Sequence, residues 1–390
     1  MGAHDHLLFE LLARGHMGGT PPRVQDGRHH VRSQSRWLSR PVQAHWARAI
    51  GRQLLGRSMD RRRFGRTGLE VPALTYGGGW VGGYIIRAGE AEREALLDRA
   101  VAAGIDWIDT AAQYGNGASE TVIGQWLAKK PAAARPRIST KFNVDSSAPD
   151  FAGQIERSVA ASLARLGLAR VQVLILHSRI VSDAGPGRDK RSLTPAEVLG
   201  SGGVADIMDG LRRKGVCDWI GLTGLGDPPA LAEVVDSGRF DVAQIYYNLI
   251  NPSAMAPAGP GWNSTDFDGL LQRCARQDMG VMGIRIFAAG HLAASERHGR
   301  EMPITANADN AAEEARAAAV FAALGAQAGN RAQTALRFGL ACPRLSTIVV
   351  GVAEAWHLDD ALKAAQMGPL PTAALAALEP VWRTHPAFRG

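Results

Sequence analysis

The segment GIDWIDTAAQYGNGASE, residues 104–120, decides how the chain is read. Its apolar opening breaks at Asp109 into a polar turn holding Gly115, Asn116 and Gly117, and the helical pattern TVIGQWLAKK (121–130) follows at once. An apolar run, a turn and an amphipathic stretch together spell a strand feeding a helix. Gly115, Gly117 and Asn116 account for the turn, because these residue types tolerate left-handed backbone. They leave Asp109 and Tyr114 unexplained, since the turn needs neither a carboxyl nor a phenol.

The same unit recurs along the chain. Strand patterns occur at 71–77 (VPALTYG), 106–110 (DWIDT), 137–142 (RISTKF), 171–177 (VQVLILH), 219–224 (WIGLTG), 242–248 (VAQIYYN), 281–287 (VMGIRIF) and 346–352 (STIVVGV), eight in all. Helical patterns such as EAEREALLDRAVAAG (90–104) and FAGQIERSVAASLARLG (151–167) separate them. Strands apolar on both faces and alternating with helices imply parallel pairing through right-handed crossovers. Eight such units predict an α/β fold, a closed (β/α)₈ TIM barrel. The competing open, doubly wound sheet wants GxGxxG after its first strand and then a helix. GGGWVGGY (77–84) has neither that spacing nor an immediate helix, so the barrel is preferred. Ahead of it, RRRFGRTGLEV (61–71), with a turn at Arg66–Gly68, predicts an N-terminal hairpin.

Composition narrows the function. With 390 residues, 46% of them apolar and 21% charged, the chain is globular in make-up. Its apolar runs have strand length and fall well short of the ~20 residues of a membrane span, so no membrane association and a cytoplasmic location are expected. The formal charge of +7 is concentrated before Met59: residues 1–58 hold nine Arg, no Lys and three acids, +6, which leaves +1 for residues 59–390. The folded part therefore has no electrostatic basis for binding nucleic acid. Residues 1–58 are expected to form a disordered Arg/His-rich extension, or a stretch upstream of a start at Met59, and residues 59–390 the barrel domain. Cys217, Cys274 and Cys342 match no metal-ligand or disulfide pattern, which fits a reducing compartment.

In a barrel of this kind the chemistry lies at the carboxyl ends of the strands. There the sequence places Asp109, Lys141, His177, Thr223, Gln244 and Asn248, with Tyr114 in the loop above Asp109. A phenol with an ordinary pKa of about 10 is a proton donor, and a nearby ammonium favours its phenolate form. Tyr114 is thereby a candidate acid and base over a carbonyl, with Lys141 beside it, Asp109 holding Lys141, and His177 orienting the same oxygen. Singly, an Asp or Lys at a strand end is a cap or a structural ion pair, a Tyr is packing, and a His is a satisfied core residue. Four at successive strand ends point to one catalytic volume.

From Arg61 to about Ala365 the chain resembles the aldo-keto reductase superfamily, on RRRFGRTGLEV and on GIDWIDTAAQYGNGASE. The resemblance implies a barrel that binds NAD or NADP without a Rossmann domain, and a catalytic tetrad falling on Asp109, Tyr114, Lys141 and His177. Gln244 matches a glutamine that contacts the nicotinamide amide. Thr223-Gly224 replaces the usual Ser-Asn pair, and Ile284 and Arg285 in GIRIFAAGHL (283–292) stand where a stacking tyrosine is common. In VVGVAEAWHLDDAL (349–362) relatives specific for NADPH place a basic residue two beyond the glycine that falls on Gly351. Here Ala353 and Glu354 follow, which implies NAD(H) rather than NADP(H), unless Glu354 simply begins the last helix. QIYYNLINPSA (244–254) resembles the aldose dehydrogenase branch, and Trp80, Tyr84 and Trp262 are candidate pocket walls.

The activity so implied is interconversion of an aldehyde, ketone or aldose with its alcohol or lactone. No motif speaks to oligomeric state. The rivals are a non-redox barrel enzyme such as a sugar-phosphate isomerase or lyase, and a non-catalytic nucleotide-binding regulatory subunit. A metal-dependent hydrolase would want an HxH pair on strand one, and no metal site is expected.

Overall fold

The computed structural model describes residues 59–79, 82–185, 188–296, 299, 309–325 and 329–390. The expected extension, residues 1–58, and Trp80 lie outside them. The chain enters as an antiparallel hairpin, β1 (Arg61–Arg63) with β2 (Glu70–Pro72), turning through a 3-10 helix at Gly65–Thr67. Gly65 admits no side chain, because its φ is +53° and a Cβ would stand 2.2 Å from the backbone nitrogen of Gly280. Phe64 is fully buried with its ring edge-on to Trp107 at 5.3 Å, and Arg66 donates to the carbonyls of Gly238 and Phe240 at 2.9 and 2.7 Å. The hairpin thus plugs the end of the barrel opposite the expected chemistry.

β3 (Leu74–Gly77), β4 (Trp107–Asp109), β5 (Arg137–Phe142) and β6 (Val171–Leu176) follow in order. A short parallel pair, β7 (Arg179–Ile180) and β8 (Ser192–Leu193), lies in the loop after β6. Then come β9 (Cys217–Gly224), β10 (Val242–Tyr246), β11 (Gly280–Ile284) and β12 (Thr347–Gly351). Among the described residues, β3 to β6 and β9 to β12 close into an eight-stranded parallel barrel, with β12 pairing back on β3. The expected (β/α)₈ architecture is the one observed.

Several boundaries move, each for a local reason. The expected strand at 71–77 divides at Ala73, because Val71 and Pro72 pair backwards with the hairpin and Pro72 has no N–H to give a parallel ladder. The strand expected to run to 287 ends at Ile284, since Arg285 turns into the left-handed region with φ +58°. His177 lies one residue past β6, where its backbone N–H donates to the Phe142 carbonyl at 2.8 Å. Asn248 lies past β10 and donates its side-chain amide to the Arg285 carbonyl at 3.0 Å, so its role is to hold two loops together. A further helix, Thr372–Thr384, has no counterpart in the alternation; it anchors through Trp382, whose indole donates to the Leu249 carbonyl at 2.8 Å.

Two apolar layers hold the barrel. Phe64, Trp107, Val173, Ile175, Val242 and Met282 fill its interior, while a larger cluster lies between strands and helices. Inside, strand register sets the site: Asp109 pairs with Ser139, and Lys141 is two residues further along β5, on the same face as Ser139. Gln244 pairs with Thr223 on β9. Among the described residues no helix is long and apolar enough to cross a membrane. Cys217, Cys274 and Cys342 are buried and unpaired, as small core residues.

Candidate active site

At the carboxyl ends of the barrel strands lies a cavity of about 560 Å³. Asp109, Tyr114, His177, Thr223, Gln244, Arg285 and Gly351 line it, and Lys141 is enclosed behind Asp109 and Tyr114. Lys141 Nζ donates to Asp109 Oδ2 at 2.6 Å, to the Thr110 carbonyl at 2.8 Å and to Tyr114 Oη at 3.1 Å. Its three protons are therefore all engaged. Burial alone would push the ammonium down, but Asp109 and then Tyr114 outweigh it and hold Lys141 above its ordinary value. Asp109 is in turn fixed from three sides, since Ser139 Oγ and Gln244 Nε2 each donate to Oδ1 at 2.7 Å. Trp107 Nε1 donates to Ser139 Oγ at 3.1 Å and extends this chain into the barrel core.

His177 meets Tyr114 edge-on, with ring centroids 5.8 Å apart. Burial, then the charges of Lys141 and Arg285, hold its pKa well below the ordinary 6.5, so the ring is neutral and serves as a hydrogen-bonding group. That shift has a sign in stability. On acidification through the ordinary histidine range the unfolded chain gains a proton at this position and the folded chain does not, so stability falls as pH falls. A His177→Phe variant is expected to lose less Tm than wild type between about pH 7 and about pH 5; an equal loss in both would show that His177 contributes nothing to acid sensitivity.

Toward β9 and β10 the cavity ends in Thr223, whose buried hydroxyl has no partner among the described residues. Its register partner Gln244 turns its amide nitrogen to Asp109 and to Met282 Sδ, at 2.7 and 3.7 Å. Burial lowers Arg285 from its ordinary value, with Tyr246, Tyr114 and Glu313 opposing, and a guanidinium so placed stays charged.

The segment after β12 departs from expectation. Glu354 is exposed and outside the lining, while Ala353, Trp356 and His357 face the cavity. The backbone N–H groups of Ala353 and Glu354 donate to His357 Nδ1 at 3.1 and 3.3 Å. An imidazole thus occupies two backbone donors of the turn that leads into the helix Trp356–Met367. Two expected walls are also absent from the lining: Tyr84 lies in the short helix Tyr84–Arg87, and Trp262 stacks on Phe388 at 5.6 Å and packs the C-terminal segment. Gln113, Arg191, Trp356 and His357 line the cavity although sequence reasoning does not single them out. Gln113 lies within the stretch that fixed attention on Asp109 and Tyr114, and Trp356 and His357 lie within the segment 349–362 read for cofactor preference.

The sequence profile of the Aldo/keto reductase family matches residues 73–383. D-threo-aldose 1-dehydrogenase of Pseudomonas sp. is 29% identical over 261 residues, 60% of this chain and 71% of that protein. L-galactose dehydrogenase of Arabidopsis thaliana is 28% identical over 179 residues, 43% of this chain and 49% of that protein. Among solved structures, the holo form of an aldo-keto reductase, AKR11C1, from Bacillus halodurans superposes with a TM-score of 0.61 at 16% identity, over 83% of this chain and 96% of that one.

Proposed function

Because this chain belongs to the aldo/keto reductase family, an oxidoreductase family, we propose that its cavity interconverts an aldehyde, ketone or aldose with the corresponding alcohol or lactone, with Tyr114 as acid and base. One observation carries this reading: a phenol on the cavity wall is hydrogen-bonded at 3.1 Å to a fully buried ammonium. In reduction Tyr114 gives its proton to the substrate oxygen as the carbon is reduced, and Lys141 stabilises the phenolate left behind. In oxidation the phenolate takes the alcohol proton. Asp109 keeps Lys141 in place and compensates its charge in the barrel interior. His177, being neutral, donates to the same oxygen without competing for the transferred proton.

A bound nicotinamide dinucleotide supplies the hydride for reduction, or accepts it for oxidation. The residues present suit such a group, since the orphaned Thr223 hydroxyl lies next to Gln244, where a carboxamide would find a donor and an acceptor together. Arg285 adds a half-buried positive charge to the same wall, suited to an anionic dinucleotide. Further along, Gly351 and Ala353 offer a side-chain-poor surface for the sugar and phosphate portion. The preference for NAD(H) over NADP(H) rests on Ala353, which lines the cavity and offers no basic side chain to meet a 2′-phosphate. Ala353→Arg is accordingly expected to tighten NADPH binding about tenfold with little change for NADH, measured by nucleotide fluorescence titration. Unchanged NADPH affinity would remove this loop from cofactor discrimination.

The two curated relatives described above are named for aldose and galactose oxidation, which supports a sugar substrate on this barrel. The deciding experiment is a panel of aldehydes, ketones and aldoses assayed with NADH and NADPH for reduction, and with NAD and NADP for oxidation. Turnover that depends on Tyr114 supports the reading. Nucleotide binding with no turnover across the panel would identify a regulatory subunit, and isomerisation without nucleotide would identify a non-redox barrel enzyme.

A further inference from the structure

Gln113 precedes Tyr114 in the turn after β4 and is exposed at the cavity wall. Asn143, one residue past β5, donates its Nδ2 to Gln113 Oε1 at 2.5 Å. With its oxygen held by Asn143, the Gln113 amide turns its NH₂ group toward His177. Gln113 Nε2 then stands 3.5 Å from His177 Nε2, the long limit for a hydrogen bond.

His177 Nδ1 is buried with no partner among the described residues. Orphaned buried N–H groups are rarer than orphaned acceptors, which places the proton of the neutral ring on Nε2. Two donors therefore lie side by side, neither able to satisfy the other, on the wall that also holds the Tyr114 ring, 5.8 Å from the imidazole centroid. If the reacting oxygen lies between Tyr114 and His177, as proton transfer requires, the donor next in line is the Gln113 amide. A pair of donors spaced about one hydrogen bond apart suits two oxygens on adjacent carbons.

We infer that Gln113 binds a hydroxyl on the carbon next to the reacting one, so that the site selects 2-hydroxy carbonyl compounds and the 1,2-diols they give on reduction; this rests on the oxidoreductase reading above. Gln113 reaches that hydroxyl directly, and Asn143 is a positioning residue that keeps the amide from turning over. A substrate lacking the hydroxyl leaves the amide N–H facing carbon once water has been displaced, and discrimination arises from that loss. Aldoses carry this hydroxyl at C2 and fall within the class.

The test uses the full chain with saturating nucleotide and compares propanal with 2-hydroxypropanal, both concentrations corrected for the hydrated fraction. Wild type is expected to prefer 2-hydroxypropanal about tenfold in kcat/KM. Gln113→Leu should lower that preference to about twofold or less by slowing the hydroxylated substrate alone, and Asn143→Ala should give an intermediate value. Unchanged Tm and nucleotide affinity in both variants show that the fold and the cofactor site are intact. Equal slowing of both aldehydes by Gln113→Leu would assign the amide to the reacting oxygen and overturn the inference. So would a wild type that reduces propanal readily yet shows no preference, an outcome that leaves the oxidoreductase reading standing. A wild type that reduces neither aldehyde and oxidises no alcohol removes that reading, and this inference with it.

Discussion

Tyr114→Phe is expected to lower kcat by about a hundredfold or more while leaving nucleotide affinity within about twofold of wild type. The substitution deletes one oxygen and keeps the ring, so the cavity wall and the edge-on contact with His177 persist. Lys141 retains its bonds to Asp109 and the Thr110 carbonyl at 2.6 and 2.8 Å and stays in place. One ammonium proton is left unpaired, which costs about 1–3 kcal/mol and leaves the protein folded. The proton that reaches the substrate oxygen, by contrast, has no replacement donor of matched strength: His177 is neutral, and Lys141 is enclosed away from the cavity. Single-turnover reduction separates this from slow product release, since the loss must appear in the chemical step. Equal turnover in the two proteins would take Tyr114 out of the mechanism.

The residues that carry this argument were legible in the sequence because two independent patterns coincide at them. Hydrophobic alternation set the strands, and the chemically costly residues Asp109, Lys141 and His177 fell at their carboxyl ends, where a barrel gathers them. What escaped notice depends on local backbone and on long-range packing. Arg285 continues an apolar strand pattern, yet its φ of +58° takes it out of β11, and no periodicity announces a left-handed residue other than glycine or asparagine. His357 reads as one polar residue in a helix; its acceptance of the Ala353 and Glu354 N–H groups follows from how the turn folds back. Trp262 has the composition of a pocket wall, but its partner Phe388 lies far along the chain, a pairing that only the folded C-terminal segment reveals. The helix Thr372–Thr384 contains Pro380, a residue that ordinarily argues against helix, and it is held by packing against the barrel's helices.

The second large effect concerns the ion pair beneath the phenol. Asp109→Asn is expected to destabilise the fold by about 3–5 kcal/mol and to abolish turnover, because it leaves the fully buried Lys141 ammonium without its counter-charge. Lys141→Met should cost a similar amount, since it leaves a carboxylate that Ser139 and Gln244 solvate only in part. Combining Asp109→Asn with Lys141→Met removes both charges at nearly constant volume, and the carboxamide oxygen that replaces the carboxylate can still accept from Ser139 and Gln244. Stability in this double variant should therefore return to within about 1–2 kcal/mol of wild type, as neutral replacements of buried pairs commonly do. Activity should not return, because the ammonium that stabilises the phenolate is gone. Urea unfolding midpoints with unchanged m-values, set beside kcat for the same proteins, make this separation measurable. Were the double variant as unstable as the summed single variants, the pair would be contributing shape and hydrogen bonds to the barrel in place of compensated charge, and the account of Lys141 as an electrostatic support for Tyr114 would fail.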